Sequence, residues 1–194
     1  MKVCGLTGGV GMGKSTAARF LREQGAQIVD TDELARELVQ PGQPALRKIQ
    51  EQFGNEIVTS SGDLNRDELA RIVFGNISAR LKLESILHPL IRERWLAQIG
   101  TWQQEKHALA IVVIPLLFET QAESHFEKVI CVACSSATQR ERLLARGWSQ
   151  EQIRQRNAAQ MPIEQKISLA NFVVWTEGDT EICAKQMKRI FLAL

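Results

Sequence analysis

The sequence predicts an α/β fold, a five-stranded parallel sheet doubly wound by helices, and three observations predict it. Short, near-continuous apolar runs recur along the chain, helical segments fill most of the gaps between them, and a glycine-rich loop joins the first run to the first helix. Such a sheet offers its ligand site at the carboxyl ends of its strands. The 194 residues suit one domain with an insertion, and a chain of that length buries roughly 70% of its unfolded surface. Hydrophobic content of 44% and charged content of 24% are those of an ordinary globular protein.

The first strand is expected at residues 3–6. It leads into Gly8-Gly9-Val10-Gly11-Met12-Gly13-Lys14-Ser15-Thr16 and then a helix-prone segment, residues 17–23. Four residues separate Gly8 from Gly13-Lys14-Ser15, the spacing of a phosphate-binding loop. There backbone N–H groups and a helix N-terminus face an anion, Lys14 adds a mobile cation, and the Ser15 hydroxyl suits Mg²⁺. Further strands are expected at residues 27–30, 108–114, 129–133 and 172–175. The second ends in Asp30-Thr31-Asp32, with a helix beginning near Glu33. Asp30 and Glu33 can form a capping box, which leaves Asp30 open to a structural or a functional reading. Asp32 is not needed for that cap and is a candidate to accept a proton or to help place Mg²⁺.

Residues 33–106 read as a helical insertion. Leu83, Ile86, Leu87, Leu90 and Ile91 lie at helical spacing and form one apolar stripe. His88, ahead of Pro89, is expected to leave the helix and mark the start of a new turn. Cys131 and Cys134 have C-x-x-C spacing, but residues three apart in a strand point to opposite faces, so packing is the preferred reading over redox or zinc chemistry. On the helix expected over residues 138–145, Arg142 and Arg146 are four apart and share a face suited to phosphates, while Arg140 lies on another.

A net charge of +2 is too small to argue for nucleic acid, and no run approaches the ~20 apolar residues of a membrane span. The start, Met1-Lys2-Val3-Cys4, reads as strand and not as a signal peptide, so a cytoplasmic protein is expected. The guanine-recognition pattern of a GTPase is missing.

Taken in order, these motifs resemble the dephospho-coenzyme A kinase family over nearly the whole chain. Thr7 to Thr16 is similar to its phosphate loop, and Val29-Asp30-Thr31-Asp32 to its acidic second-strand motif. Gly62-Asp63-Leu64-Asn65-Arg66, Leu69, Val73-Phe74, His88-Pro89 and Arg92 resemble its helical acceptor signatures, and Pro115-Leu116-Leu117-Phe118-Glu119 a further family segment. Gln139, Arg142, Arg146, Arg156, Gln160 and Lys166 fall at the spacings of its lid and following helix.

The resemblance implies a P-loop kinase that moves the γ-phosphoryl group of ATP to the ribose 3′-hydroxyl of dephospho-coenzyme A, with Mg²⁺ as cofactor. It implies one domain over residues 1–194, with core residues 1–32 and 107–194, an acceptor-binding insertion at 33–106 and an arginine-bearing lid at 140–162. Catalytic roles fall to Lys14, Asp32 and Arg142. ATP is expected at Gly8, Gly9, Gly11, Met12, Gly13, Lys14, Ser15, Thr16, Arg142 and Arg146. The acceptor is expected at Thr7, Asp32, Arg66, His88, Arg92, Leu117 and Glu119, with Ser15 on the metal. No nucleic acid, membrane or obligate protein partner is expected. Val113 replaces an aspartate that some members carry, Asn171 stands where the family has aspartate, and Thr176 where it has asparagine. The runner-up is another P-loop small-molecule or nucleoside monophosphate kinase.

Overall fold

A computed structural model describes residues 1–73 and 76–194, so Phe74 of the acceptor signature lies outside the described residues. The chain runs β1 (Lys2–Gly8), α1 (Lys14–Glu23), β2 (Gln27–Asp30), α2 (Thr31–Leu38), α3 (Pro44–Phe53), α4 (Arg66–Val73) and α5 (Ile77–Gln104). It continues through β3 (Leu109–Val113), β4 (Lys128–Ala133), α6 (Ser136–Ala145), α7 (Gln150–Ala158), α8 (Ile163–Leu169), β5 (Phe172–Trp175) and α9 (Thr180–Ala193). Among the described residues these strands form one five-stranded sheet, ordered β2-β3-β1-β4-β5 and parallel throughout. Each expected strand is present, with its ends displaced by at most two residues.

Strand order explains where the phosphate loop sits. From β1 the chain crosses to β2 and β3 on one side, and β4 and β5 lie on the other, so β1 stands at the switch point where a crevice opens beyond the strand ends. Apolar strands suit this central position because both faces are covered. Cys4 and Leu6 of β1 join Leu21, Ile111, Ile130, Val132 and Met187 in a core that α1 and α9 complete. On the opposite face Gly5 leaves room for two larger groups: a Cβ there would lie 2.5 Å from Leu117 Cδ1 and 2.9 Å from Phe126 Cδ2. All four cysteines are buried free thiols, and burial pushes those of Cys4 and Cys131 up to about 11.

The chain divides into two compact units, one formed by Met1–Asp30 with Ile99–Leu194 and the other by Thr31–Gln98. The second unit has its own core of Val39, Leu46, Ile49, Ile57 and Leu69, against which Leu83, Ile86 and Leu87 of the predicted stripe pack. Three helix boundaries differ from expectation. α1 and α2 begin earlier, at Lys14 and Thr31, and α5 runs without interruption through Pro89. Ser85 and Pro89 are both exposed, so the carbonyl that loses its helical donor is open to water and the rest of the long helix carries the turn. Among the described residues no helix is long and apolar enough to cross a membrane.

β5 is an edge strand, and α9 covers part of its free side with one side chain. Trp175 donates its N–H to Gln186 Oε1 at 3.0 Å, and Gln186 Nε2 donates to the Trp175 carbonyl at 2.8 Å. The carboxamide thus occupies the place of a neighbouring strand's peptide.

At Gly8 a side chain cannot be accommodated. Its φ is 148°, and a Cβ would fall 2.2 Å from the Val132 carbonyl oxygen on β4. We expect Gly8→Ala to lower the unfolding free energy by about 3 kcal/mol, read by urea denaturation, because backbone must move to relieve the clash. A wild-type midpoint would show that β1 and β4 separate here at no cost.

Candidate active site

The site is built on the loop between β1 and α1. Gly13 occupies the helix N-cap with φ 93°, no side chain caps the helix, and no acidic residue lies in its first turn. That first turn suits an anion, since the helix dipole favours negative charge there. Lys14 folds back so that Nζ donates to the carbonyls of Gly8 at 2.9 Å and Gly9 at 3.0 Å. Its charge is held at the mouth of the loop. Ser15 is exposed one residue further along, and Thr16 is half-buried. Gly11, with φ 74°, lies against Leu143, whose Cγ would be 2.8 Å from an added Cβ.

Side chains from later in the chain hold the loop from outside. Gln139 on α6 donates to the Val10 carbonyl at 2.7 Å, and Val10 donates its N–H to Gln160 Oε1 at 3.2 Å. Gln139 is paired in turn with Asn157 of α7 through reciprocal amide bonds of 3.1 and 3.2 Å. Arg142 donates from Nη1 to Thr176 Oγ1 at 3.0 Å and from Nη2 to the Thr176 carbonyl. The same hydroxyl lies 2.9 Å from the Met12 carbonyl oxygen. Just beyond, Glu177 accepts from Ser135 N–H at 3.2 Å, Thr138 Oγ1 at 2.8 Å and Trp175 Nε1 at 2.7 Å.

Below the loop, on the face opposite α1, sits a buried ion pair. Lys166 on α8 is fully buried and lies 2.8 Å from Glu119 Oε1, while its Nζ also donates to the Pro115 carbonyl at 2.7 Å. Thr7 Oγ1 donates to that same carbonyl at 3.3 Å, and Met161 N–H to Glu119 Oε1 at 2.8 Å. Glu119 Oε2 is buried without a hydrogen-bond partner. Thr7, the loop and Glu119 are thereby brought together. Leu117, expected at the acceptor, is completely buried and packs behind Gly5. Arg146 is the exposed residue just past the end of α6, four positions after Arg142. Arg156 is exposed, its guanidinium carbon 6.0 Å from the centre of the Trp148 ring.

The remaining expected residues belong to the second unit. Asp32 is exposed in the first turn of α2, two residues after β2 ends. The register puts Asp30 at the cap position and Glu33 third in the helix, as a capping box requires. Arg66 is exposed at the start of α4. His88 and Arg92 occupy successive turns of α5, where burial lowers the His88 pKa, nearby Glu84 opposes that shift and Arg92 adds to it. His88 is therefore neutral at neutral pH.

Comparison with known proteins decides the family: the dephospho-CoA kinase family model matches residues 2–181. The chain belongs to the dephospho-CoA kinase family. A dephospho-CoA kinase of Bdellovibrio bacteriovorus is 43% identical over 190 residues, 98% of this chain and 94% of the relative. The crystal structure of TT1252 from Thermus thermophilus matches with a TM-score of 0.82 at 32% identity, covering 100% of this chain and 97% of that one. Dephospho-CoA kinase from Campylobacter jejuni matches with a TM-score of 0.72 at 27% identity, covering 99% and 96% of the two chains.

For this kinase-family chain, sequence reasoning assigned no role to the anchors of the loop: Thr176 beneath Met12, Glu177 at the β4–α6 junction, and the Asn157–Gln139 pair. It placed Gln139, Gln160 and Lys166 by spacing alone. A polar Thr176 directly after an apolar strand, at the carboxyl edge of the sheet, and its place where the family has asparagine are the signals that could have flagged its position.

The three donors to Glu177, Ser135 foremost, pull its carboxyl from 4.5 down to about 2. Because the folded value lies below the unfolded one, the stabilisation is complete above about pH 4.5 and is lost as pH falls toward 2. Glu177→Gln keeps an acceptor but not the charge, so it should flatten the fall in melting temperature between about pH 5 and pH 2.5. An unchanged slope would assign acid sensitivity to other groups.

Proposed function

We propose that this chain transfers the γ-phosphoryl group of ATP to the ribose 3′-hydroxyl of dephospho-CoA, forming CoA and ADP in the cytoplasm as a single kinase domain over residues 1–194. The observation that carries the reading is the gathering of two cations on one loop, Lys14 directly on the Gly8 and Gly9 carbonyls and Arg142 through Thr176 on Met12. Phosphoryl transfer asks a protein for positioning and charge neutralisation, which such a cradle supplies. Family membership, with identity at 43% to a named dephospho-CoA kinase, supports the choice of acceptor.

In this reading Gly8, Gly9, Gly11, Met12, Gly13, Ser15 and Thr16 line the β- and γ-phosphates, and Lys14 holds them. Arg142, on a lid formed by residues 140–162, meets charge that develops on the transferring group, and Arg146 joins it when the lid closes. Thr7, Glu119, Arg66, His88 and Arg92 serve the acceptor, the last three within a binding segment at residues 33–106. The acceptor oxygen forms a bond to the γ-phosphorus as the bond from that phosphorus to the β-bridging oxygen breaks. The hydroxyl proton passes to the Asp32 carboxylate, and ADP leaves.

The residues fit Mg²⁺. Ser15 presents an exposed hydroxyl at the start of α1, and among the described residues no group of three His, Cys, Asp or Glu side chains offers an all-protein cage. Mg²⁺ takes few protein ligands and keeps waters and phosphate oxygens, so one hydroxyl with the nucleotide suffices, and when bound the ion neutralises phosphate charge.

The test is ATP turnover with and without dephospho-CoA. Stoichiometric CoA and ADP are expected, with AMP, CMP and shikimate phosphorylated far more slowly; equal turnover without acceptor would make the chain an ATPase, and preference for a nucleoside monophosphate would make it a kinase of another acceptor. Lys14→Ala should cut turnover by about 10²–10³ with the fold intact. Asp32→Asn keeps size and loses the charge, and should cut turnover by ~10²–10⁴ with small effects on ATP affinity and melting temperature. Stability lost in proportion to activity would return Asp32 to a helix-terminus role.

A further inference from the structure

Thr176 is 8% exposed, and its backbone is fixed by donating N–H to the Ala133 carbonyl at 2.8 Å, at the end of β4. Its hydroxyl meets four groups: Arg142 Nη1 at 3.0 Å, the Met12 carbonyl at 2.9 Å, the Ala133 carbonyl at 3.3 Å and the thiol of Cys134. A guanidinium only donates and a hydroxyl has one proton, so the directions are settled by chemistry. Arg142 donates to the Thr176 oxygen, which passes its own proton to the nearer carbonyl, that of Met12. Ala133 already receives the Thr176 N–H.

Arg142 grips Thr176 twice, through the hydroxyl and through the carbonyl, as a planar fork can and an ammonium cannot. Two of its five N–H donors are used here, which leaves three for phosphate oxygens. The Thr176 methyl also lies against the loop: its Cγ2 would be 3.3 Å from a Cβ on Gly13. One side chain therefore touches residues 12 and 13 of the phosphate loop and the arginine proposed to act on the same phosphates.

We propose that Thr176 is a positioning residue for phosphoryl transfer, setting the guanidinium of Arg142 in register with the phosphate loop. The proposal rests on the phosphoryl-transfer reading of Arg142 given above. The effect of Thr176 is to make the position of a cation follow the position of the Met12 peptide, so that Arg142 is placed before ATP arrives and spends no rotamer freedom at the moment of reaction.

The experiment is a double-variant cycle read by CoA formation at saturating ATP and dephospho-CoA, with melting temperatures on the same proteins. Thr176→Val keeps the shape and removes the hydroxyl; we expect turnover to fall by ~10–10²-fold while the acceptor KM moves less than about 3-fold. Thr176→Ser, which keeps the hydroxyl, should recover turnover to within about 3-fold of wild type. In the Arg142→Ala background, Thr176→Val should change turnover by less than about 2-fold, since the arginine through which it acts is gone. If the two losses multiply, Thr176 acts on the loop alone and the proposal fails. Should Arg142→Ala collapse turnover while Thr176→Val preserves it, the proposal fails and the reading of Arg142 stands. Full turnover by Arg142→Ala sinks both. Where Thr176→Val melts too low to assay, Thr176→Ala takes its place in the same cycle.

Discussion

An anion-binding loop made of peptide groups faces a constraint that its N–H donors alone do not solve: each carbonyl must find a donor of its own, or it turns toward the phosphate and repels it. In this chain five of those carbonyls are engaged. Gly8 and Gly9 accept from Lys14, Val10 from Gln139, Met12 from Thr176, and Gly13 from the N–H of Ala17. The donors come from α1, α6 and the end of β5, so the sheet and the helices around it are needed to fix one loop of a few residues. With these oxygens held back, the α1 terminus, which no side chain caps, presents its positive end to a ligand.

The two faces of the sheet solve different problems. Against α1 and α9 the core is apolar and needs no polar satisfaction. The face that receives α8 instead buries Lys166 with Glu119, and that pair shares the Pro115 carbonyl with Thr7. A buried ion pair contributes little net stability, and its removal for apolar residues is often neutral. Its place here beside Thr7 at the end of β1 fits a device that fixes geometry next to the site, with Met161 tied to the same carboxylate so that the start of α8 is held as well.

Much of this was legible in the sequence because the signals are local. Glycine and lysine spacing announces the loop, and apolar runs announce the strands, since both depend on residues within a few positions of each other. The anchors of the loop were not legible. Thr176 reaches back 164 positions to Met12, and Gln139 reaches 129 to Val10, so nothing near either residue in the chain states its partner. Pro89 misled for the opposite reason: its local rule predicts a break, but one missing helical bond at an exposed turn is a small loss within the 28 residues of α5. Leu117 was expected at the acceptor from its motif, and its burial behind Gly5 shows only in the packing.

The Gln186 carboxamide on the edge of β5 has a consequence for the order in which the chain becomes safe. β5 offers the Trp175 peptide outward, and the group that occupies it belongs to α9, which emerges from the ribosome afterwards. Between those two moments the strand has a free side lined by exposed Val173 and Trp175, the kind of surface that recruits a strand from another nascent chain. α9 is then a guard on the biosynthesis of this fold as well as a wall of its core, and its docking marks the point at which the chain stops being a template for its neighbours.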